Sequence, residues 1–195
     1  VPPAVFLDRD GTMVHDVGYL SHLKDLEWYP WTIDAVRLLK RAGFLVCVTT
    51  NQSGIALGFF AETFVGEVHR EMAERIARAG AQVDGWFYCP HHPHGVVDAL
   101  RVDCDCRKPQ PGMIRQAQRQ FEIDLGRSFV VGDKLADVRM AKSVGARGVL
   151  VRTGYGESIV AQHDGRVPDA DHVAVNLMDA TAWILGQAGY PREAT

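Results

Sequence analysis

The 195-residue chain has no long apolar run, no strong excess of charge of either sign, few cysteines, and no repeat or low-complexity tract. Its longest apolar stretches, such as the one ending at Thr49, fall far short of the roughly 20 residues that cross a bilayer as a helix, so no membrane span is expected. A net charge of −3 and a pI near 6.2 give no whole-molecule attraction for nucleic acid or an anionic membrane, and neither is expected as a partner. Val1-Pro2-Pro3-Ala4 does not join a basic segment to a long apolar one, which argues against a secretory leader and for a cytoplasmic location. Four cysteines would allow two disulfides. Cys47, however, lies inside an apolar strand-like run, and Cys104 and Cys106 are too close together to staple distant segments, so metal binding suits this spacing better.

What is present is the composition of an ordinary globular protein, 47% apolar and 23% charged, of a length that fits a single domain over residues 1–195. Apolar runs at Ala4–Leu7, Phe44–Thr49, Trp86–Tyr88, Phe129–Val131 and Gly148–Val151 read as buried strands. Between them lie helical patterns, clearest at Phe64–Ala79, where Phe64, Val68, Met72 and Ile76 recur every four residues. Further helices are expected over Thr32–Ala42, Met113–Phe121 and Ala136–Val144. Beyond Thr153 the pattern weakens, and only a short strand at Asp171–Val175 and a helix at Leu177–Leu185 capped by Asn176 are expected there. Alternating strands and helices imply an α/β fold, a Rossmann-like parallel sheet with helices on both faces, with the ligand site beyond the carboxyl ends of the strands.

The carboxylates Asp8 and Asp10 follow the first strand and precede Gly11, which can turn the chain sharply. Asp8 could attack phosphorus, while Asp10 protonates the leaving oxygen and later activates water. Alone, such a pair is more often a solvated turn. Its weight comes from Thr49-Thr50-Asn51-Gln52-Ser53-Gly54 at the end of a second strand, Arg107-Lys108-Pro109 before a helix, and Gly132-Asp133-Lys134 at the end of another strand. Phosphoryl transfer requires a nucleophile, a divalent cation and donors to the phosphate oxygens. Asp8 and Asp133 are hard oxygen ligands suited to Mg²⁺, and Thr50 and Lys108 can hold the phosphate.

Over residues 4–153 this ordered set resembles the haloacid dehalogenase (HAD) superfamily of phosphatases. The resemblance implies that Asp8 is nucleophile and metal ligand, that Asp10 is the acid/base with its carbonyl also on Mg²⁺, and that Asp133 is a metal ligand. Asp137 would act from just behind the metal.

The segment Cys89–Pro109 carries no secondary-structure signal but gathers Cys89, His91, His92, His94, Cys104 and Cys106. Three thiolates and an imidazole would close a tetrahedron with no open position, which describes a structural zinc site. Spacing does not choose among the three histidines. Free thiols and surface histidines are the plainer reading, and three cysteines in one loop weigh against it.

Together, Asp-Arg-Asp-Gly-Thr, Thr-Asn-Gln-Ser-Gly-Ile-Ala, Cys-Pro-His-His-Pro, Cys-Asp-Cys-Arg-Lys-Pro and Gly-Asp-Lys resemble the D-glycero-D-manno-heptose 1,7-bisphosphate 7-phosphatase family. This implies structural Zn²⁺ on Cys89, His91, Cys104 and Cys106 in a loop at about 89–107, and catalytic Mg²⁺ near Asp8, Asp10 and Asp133. A phosphorylated sugar bound by Asp16, Gly18, Tyr19, Thr50, Asn51, Gln52, Ser53, Arg107, Lys108 and Lys134 is also implied, as is a monomer serving ADP- or GDP-heptose synthesis. Histidinol-phosphate phosphatases resemble it next. The twelve residues between His91 and Cys104 suit the heptose enzymes better. The chain departs from the family pattern at Val17, Leu57 and Trp31, the first two in segments expected to face substrate. A chain of this length leaves no room for a large cap domain.

Two other classes compete. In an aspartyl-phosphate signalling module the phosphoryl group must persist, whereas a carboxylate two residues after the nucleophile, as at Asp10, hastens hydrolysis. A zinc-stabilised nucleic-acid-binding module would use Arg107 and Lys108 but is disfavoured by the acidic net charge, and it leaves the three carboxylates unexplained.

Overall fold

The first strand, β1 (Ala4–Leu7), is buried at every residue, as expected of a strand covered on both faces. It pairs in parallel with β2 (Leu45–Asn51) on one side and β4 (Phe129–Gly132) on the other. Adding β3 (Gly85–Cys89), β5 (Arg147–Val151) and β6 (His172–Ala174) gives a six-stranded, wholly parallel sheet in the order β3-β2-β1-β4-β5-β6. The structure, a computed structural model, describes residues 1–188; residues 189–195, the end of the domain expected over 1–195, lie outside the described residues.

Strand side chains alternate between two apolar clusters, as the two-residue period of a strand requires. Val5, Leu7, Val46, Val48, Phe129 and Val131 face α1 (Thr32–Arg41), α2 (Glu62–Arg78) and α6 (Leu177–Gln187). Ala4, Phe6, Cys47 and Val130 face α3 (Gly112–Gln120) and α4 (Leu135–Ser143). Burial lifts the Cys47 thiol to about 12, as fits a core residue. Truncating Phe6, fully buried in the second cluster, would cost about 3–5 kcal/mol.

Helix α2 starts two residues earlier than its periodicity suggests and buries Val65, Val68, His69, Met72 and Ile76, with Phe64 only half-buried. Asn176 caps α6 as expected, accepting from the Asp179 N–H at 3.0 Å. The polar stretch after Thr153 holds a helix the sequence did not signal, α5 (Gly156–Gln162). Its first residue must be glycine, because a Cβ on Gly156 would lie 1.7 Å from the Val151 carbonyl oxygen. Among the described residues no helix is long and apolar enough to cross a membrane.

From β1 the chain moves outward through β2 to β3, then returns to β4 and moves the other way. The neighbours β1 and β4 therefore send their following loops in opposite directions, leaving a crevice at their carboxyl ends. Asp8 and Asp133 are the residues immediately after these two strands.

Candidate active site and metal centres

The Asp8 backbone N–H donates to the Val131 carbonyl at 2.9 Å, which continues the ladder one step and locks Asp8 beside β4. Lys108, brought in by the loop before α3, donates to Asp8 Oδ1 at 2.7 Å and to Asp137 Oδ1 at 2.6 Å. Asp137 Oδ2 accepts from the Lys134 backbone N–H at 3.1 Å, so one carboxylate both caps α4 and holds the lysine. A Cβ on Gly132 would lie 2.1 Å from Asp137 Cγ, so only glycine permits that approach.

Asp133 is fully buried. Its Oδ2 accepts from the Tyr155 N–H at 2.8 Å, whereas Oδ1 has no hydrogen-bond partner among the described residues and lies 3.7 Å from Lys134 Nζ. Two glycines with positive φ, Gly11 and Gly154, close over this carboxylate: a Cβ on either would come within 2.3 Å or 2.2 Å of Oδ2 respectively. The hydroxyl of Thr153 ties the two loops by donating to the Gly11 carbonyl at 2.6 Å.

The acidic group Asp8, Asp133 and Asp137 is compact enough to share one ion. Burial pushes the Asp8 carboxyl up, but the Lys108 ammonium, aided by Lys134, outweighs it and holds Asp8 below the ordinary range. Burial, and next the Asp8 charge, raise Asp133 to about 8. Burial also raises Asp137, with Lys108 opposing. Burial alone would lower Lys108 and Lys134, but the surrounding carboxylates raise both above their usual value, so they stay charged. Three buried carboxylates thus share two ammonium groups, and the Asp133 oxygen without a partner faces the deficit. Such a donor set fits a small hard cation.

Asp10 is not part of this compact group. Arg9 grips the Asp10 carboxylate through Nε and Nη2, the shortest contact being 2.9 Å, and Gln52 Nε2 donates to it at 3.0 Å. Thr50, fourth from the start of the paired stretch of β2 and β3, accepts from the same amide at 2.8 Å. Asn51 clamps the Lys108 backbone, accepting its N–H at 3.0 Å.

A small cleft of about 40 Å³ holds Asp8, Asp10, Thr50, Asn51, Lys108, Lys134 and Asp137. Beside it a larger cleft of about 290 Å³ is lined by the expected Asp10, Asp16, Gly18, Tyr19, Asn51, Gln52, Ser53, Arg107 and Lys134. Lys134 bridges to Asp16 at 3.2 Å, and Arg107 donates to Ser53 Oγ and the His91 carbonyl. The lining also contains Arg9, Leu20, Phe60 and Tyr155, which sequence reasoning missed, while Val17 and Leu57 lie outside it. Tyr155 lies in the loop between β5 and α5, with Lys134 Nζ 4.7 Å from its ring centre. Trp31, the third departure, stacks on Tyr29 at 5.2 Å and packs against the core.

The second cluster brings together Cys89, His91, Cys104 and Cys106. Of the three candidate histidines it is His91 that takes part, through Nδ1, while His92 and His94 pair with each other. The edges run from 3.3 Å for His91–Cys106 to 3.7 Å for Cys89–His91, with Cys104 at 3.6 Å from Cys89 and 3.4 Å from Cys106. A tetrahedral ion with ligands at about 2.0–2.3 Å needs edges of about 3.3–3.8 Å, so this cluster could hold a metal. Burial pushes the Cys89 thiol far up and Cys106 to about 11. Burial also acts upward on Cys104, but hydrogen bonds from Cys106 and the backbone leave it lowered. Packed thiols of this kind become thiolates together only with a cation among them.

Residues 105–180 match the family described as HAD-hydrolase-like. The chain is 47% identical over 154 residues, 78% of this chain and 80% of the relative, to D-glycero-beta-D-manno-heptose-1,7-bisphosphate 7-phosphatase of Escherichia coli K12. It is 46% identical over 187 residues, 95% of this chain and 96% of the relative, to the protein of the same name from Salmonella typhi. A crystal structure of D,D-heptose 1,7-bisphosphate phosphatase from B. bronchiseptica, complexed with magnesium and phosphate, superposes with a TM-score of 0.83. That protein is 33% identical, and the match covers 95% of this chain and 99% of that one. The chain belongs to the HAD-like family of heptose 1,7-bisphosphate 7-phosphatases.

Proposed function

We propose that this protein hydrolyses the 7-phosphate of D-glycero-β-D-manno-heptose 1,7-bisphosphate through an aspartyl-phosphate on Asp8. The observation that carries the reading is the buried group of Asp8, Lys108, Asp137 and Asp133, three of which line a small cleft that shares Asp10, Asn51 and Lys134 with a larger one of about 290 Å³. Kinship with proteins named for that activity supplies the substrate.

In this mechanism Asp8, ionised because Lys108 stands beside it, attacks phosphorus and the bond to the sugar oxygen breaks. Asp10 gives that oxygen a proton. Thr50 and Lys108 donate to the phosphoryl oxygens as charge spreads over them. Asp10, now a carboxylate, takes a proton from water, which attacks phosphorus and releases inorganic phosphate with Asp8 restored. Asp8, Asp133 and the Asp10 carbonyl would hold Mg²⁺, which when bound neutralises the carboxylates and the phosphate charge. Asp16, Gly18, Tyr19, Asn51, Gln52, Ser53, Arg107 and Lys134 would shape the sugar subsite. Cys89, His91, Cys104 and Cys106 would hold Zn²⁺, fixing the loop that presents Arg107 and Lys108.

The test is phosphate release with Mg²⁺ from both anomers of heptose 1,7-bisphosphate, from fructose 1,6-bisphosphate and from histidinol phosphate, compared by kcat/KM. A preference for the β anomer supports the reading. A preference for histidinol phosphate would keep the mechanism and replace the substrate.

A further inference from the structure

Arg9 is the bulkiest fully buried side chain, only 2% exposed. A guanidinium in such a place is costly unless its donors are matched. Here Nε and Nη2 both meet the Asp10 carboxylate, Nη2 also donates to Gln52 Oε1 at 3.0 Å, and Nη1 lies 3.5 Å from His69 Nε2. The His69 ring, 8% exposed on α2, is backed by Trp86 with ring centres 4.9 Å apart. Burial and the neighbouring guanidinium push His69 down to about 3, so the ring is neutral, and with its proton on Nδ1 it presents the Nε2 lone pair to Arg9. Gln52 completes the frame, its amide joining Asp10 to Thr50.

We propose that Arg9, braced from behind by His69, is a positioning residue that sets the Asp10 carboxylate for proton transfer. This rests on the phosphatase reading above. Asp10 sits on a loop next to Gly11, whose positive φ favours a tight turn but leaves the neighbouring side chain to be fixed by its partners. A planar two-nitrogen grip fixes a carboxylate's rotation in a way that a point charge does not. His69 in turn keeps the guanidinium from withdrawing toward the Trp86 side of the core.

Leaving-group dependence separates positioning from bulk stability. Transfer from p-nitrophenyl phosphate to Asp8 releases p-nitrophenolate, which departs without a proton. Transfer from a sugar phosphate needs Asp10 to protonate the departing alkoxide. Hydrolysis of the aspartyl-phosphate needs Asp10 to accept a proton from water in both cases. Arg9→Lys and His69→Leu should therefore give a burst of about one equivalent of nitrophenolate followed by slow turnover, with phosphoenzyme that can be trapped by acid quench. On the sugar phosphate, kcat should fall about 100-fold, toward the lower end of general acid–base contributions, with KM little changed. His69→Gln, which retains an acceptor, should recover most of the rate.

Wild-type burst and steady-state behaviour in folded Arg9→Lys and His69→Leu would overturn the proposal, as would equal losses of burst amplitude and turnover on both substrates. Should His69→Leu fail to fold, Arg9→Lys and His69→Gln carry the test. The native enzyme run alongside keeps the two readings apart. Absence of phosphate release from every substrate would remove the phosphatase reading, whereas native turnover with unaffected variants would remove only the role of Arg9.

Discussion

Lys108 Nζ lies 2.7 Å from Asp8 Oδ1, joining residues 100 apart in sequence inside a site where both side chains are almost fully buried. The contact keeps Asp8 an anion in surroundings that would otherwise favour the neutral acid, because burial acts upward on its pKa and the ammonium acts downward more strongly. The anionic form that the proposed nucleophile needs is therefore maintained by the same lysine proposed to meet the phosphoryl oxygens.

Asp8→Asn keeps the shape of that side chain and removes its charge. Turnover should fall by at least about 10³-fold, because an amide does not form the covalent intermediate. Binding of inorganic phosphate with Mg²⁺, followed by calorimetry, should persist. Normal turnover by this variant would exclude Asp8 as the nucleophile.

Lys108→Met should harm both chemistry and stability. It leaves Asp8 and Asp137 without their buried cation, and breaking such a group by removing one member costs about 3–5 kcal/mol. In Mg²⁺-free buffer the Tm should drop by several degrees. Added Mg²⁺ should restore part of that loss but not the activity. A Tm equal to that of the native protein would show that the lysine does not hold the carboxylates together.

The sheet and most of the site were legible because their signals are local. Asp8 directly follows one apolar run and Asp133 follows another after a single glycine, and Cys89, Cys104 and Cys106 announce themselves by spacing. The choice of His91 over His92 and His94 is instead a matter of direction, which spacing does not encode. Arg9 was hidden because it sits between two aspartates and reads as part of a motif, while its surroundings come from Gln52 just beyond β2 and His69 on α2. Helix α5 was hidden because Gly-Glu-Ser-Ile-Val-Ala-Gln is short and polar. It forms where Gly156 can approach the Val151 carbonyl, and with it Tyr155 comes to the cleft. Gln52 lines the cleft as its position suggests, yet its amide is occupied by Arg9, Asp10 and Thr50, so it acts on the site's own residues as much as on any ligand.

Metal-free protein should lose stability as pH rises from about 6.5 toward 8; below that window His69, lowered from 6.5 to about 3, acts in the opposite direction and offsets Asp133. Asp133 has a folded pKa raised from 3.8 to about 8, so the folded state binds the proton more tightly. The resulting stabilisation is complete below the unfolded value and is lost as pH climbs through the folded one. Asp137, also raised, acts in the same direction. The lysines are raised above 10.5 and do not titrate in this window. Asp8, being lowered, contributes its change below 3.8. The rise in Tm on adding Mg²⁺ should therefore be larger at pH 8 than at pH 6, read by thermal melts at fixed ionic strength. A Mg²⁺ effect independent of pH would count against Asp133 as a ligand.

Cys104→Ser should weaken the metal cluster and loosen residues 90–111, which contain little regular structure of their own. Proteolysis should move into this segment. KM should rise more than kcat falls, because Arg107 contacts Ser53 on the wall of the larger cleft. Elemental analysis of purified native protein should find about one zinc per chain, and a zinc chelator should reproduce the kinetic change. Zinc-free native protein with unaltered kinetics would sink this assignment.

Gly154→Ala tests whether the loop after β5 sets the Asp133 carboxylate. Gly154 has φ +57, and a Cβ there would lie 2.2 Å from Asp133 Oδ2 and 2.7 Å from Gly11 Cα. Neither neighbour can yield freely: Asp133 Oδ2 is held by the Tyr155 N–H, and Gly11 is held by Thr153. The methyl group must displace one of them, and the strained backbone alone costs about 1 kcal/mol. The expected result is a lowered Tm together with a weakened apparent affinity for Mg²⁺ in turnover assays. Gly145→Ala is the control: its φ is +75 and a Cβ there meets nothing within 4 Å, so it carries the backbone strain without the clash. If both variants lose similar stability but only Gly154→Ala loses Mg²⁺ affinity, the effect belongs to the carboxylate rather than to the turn.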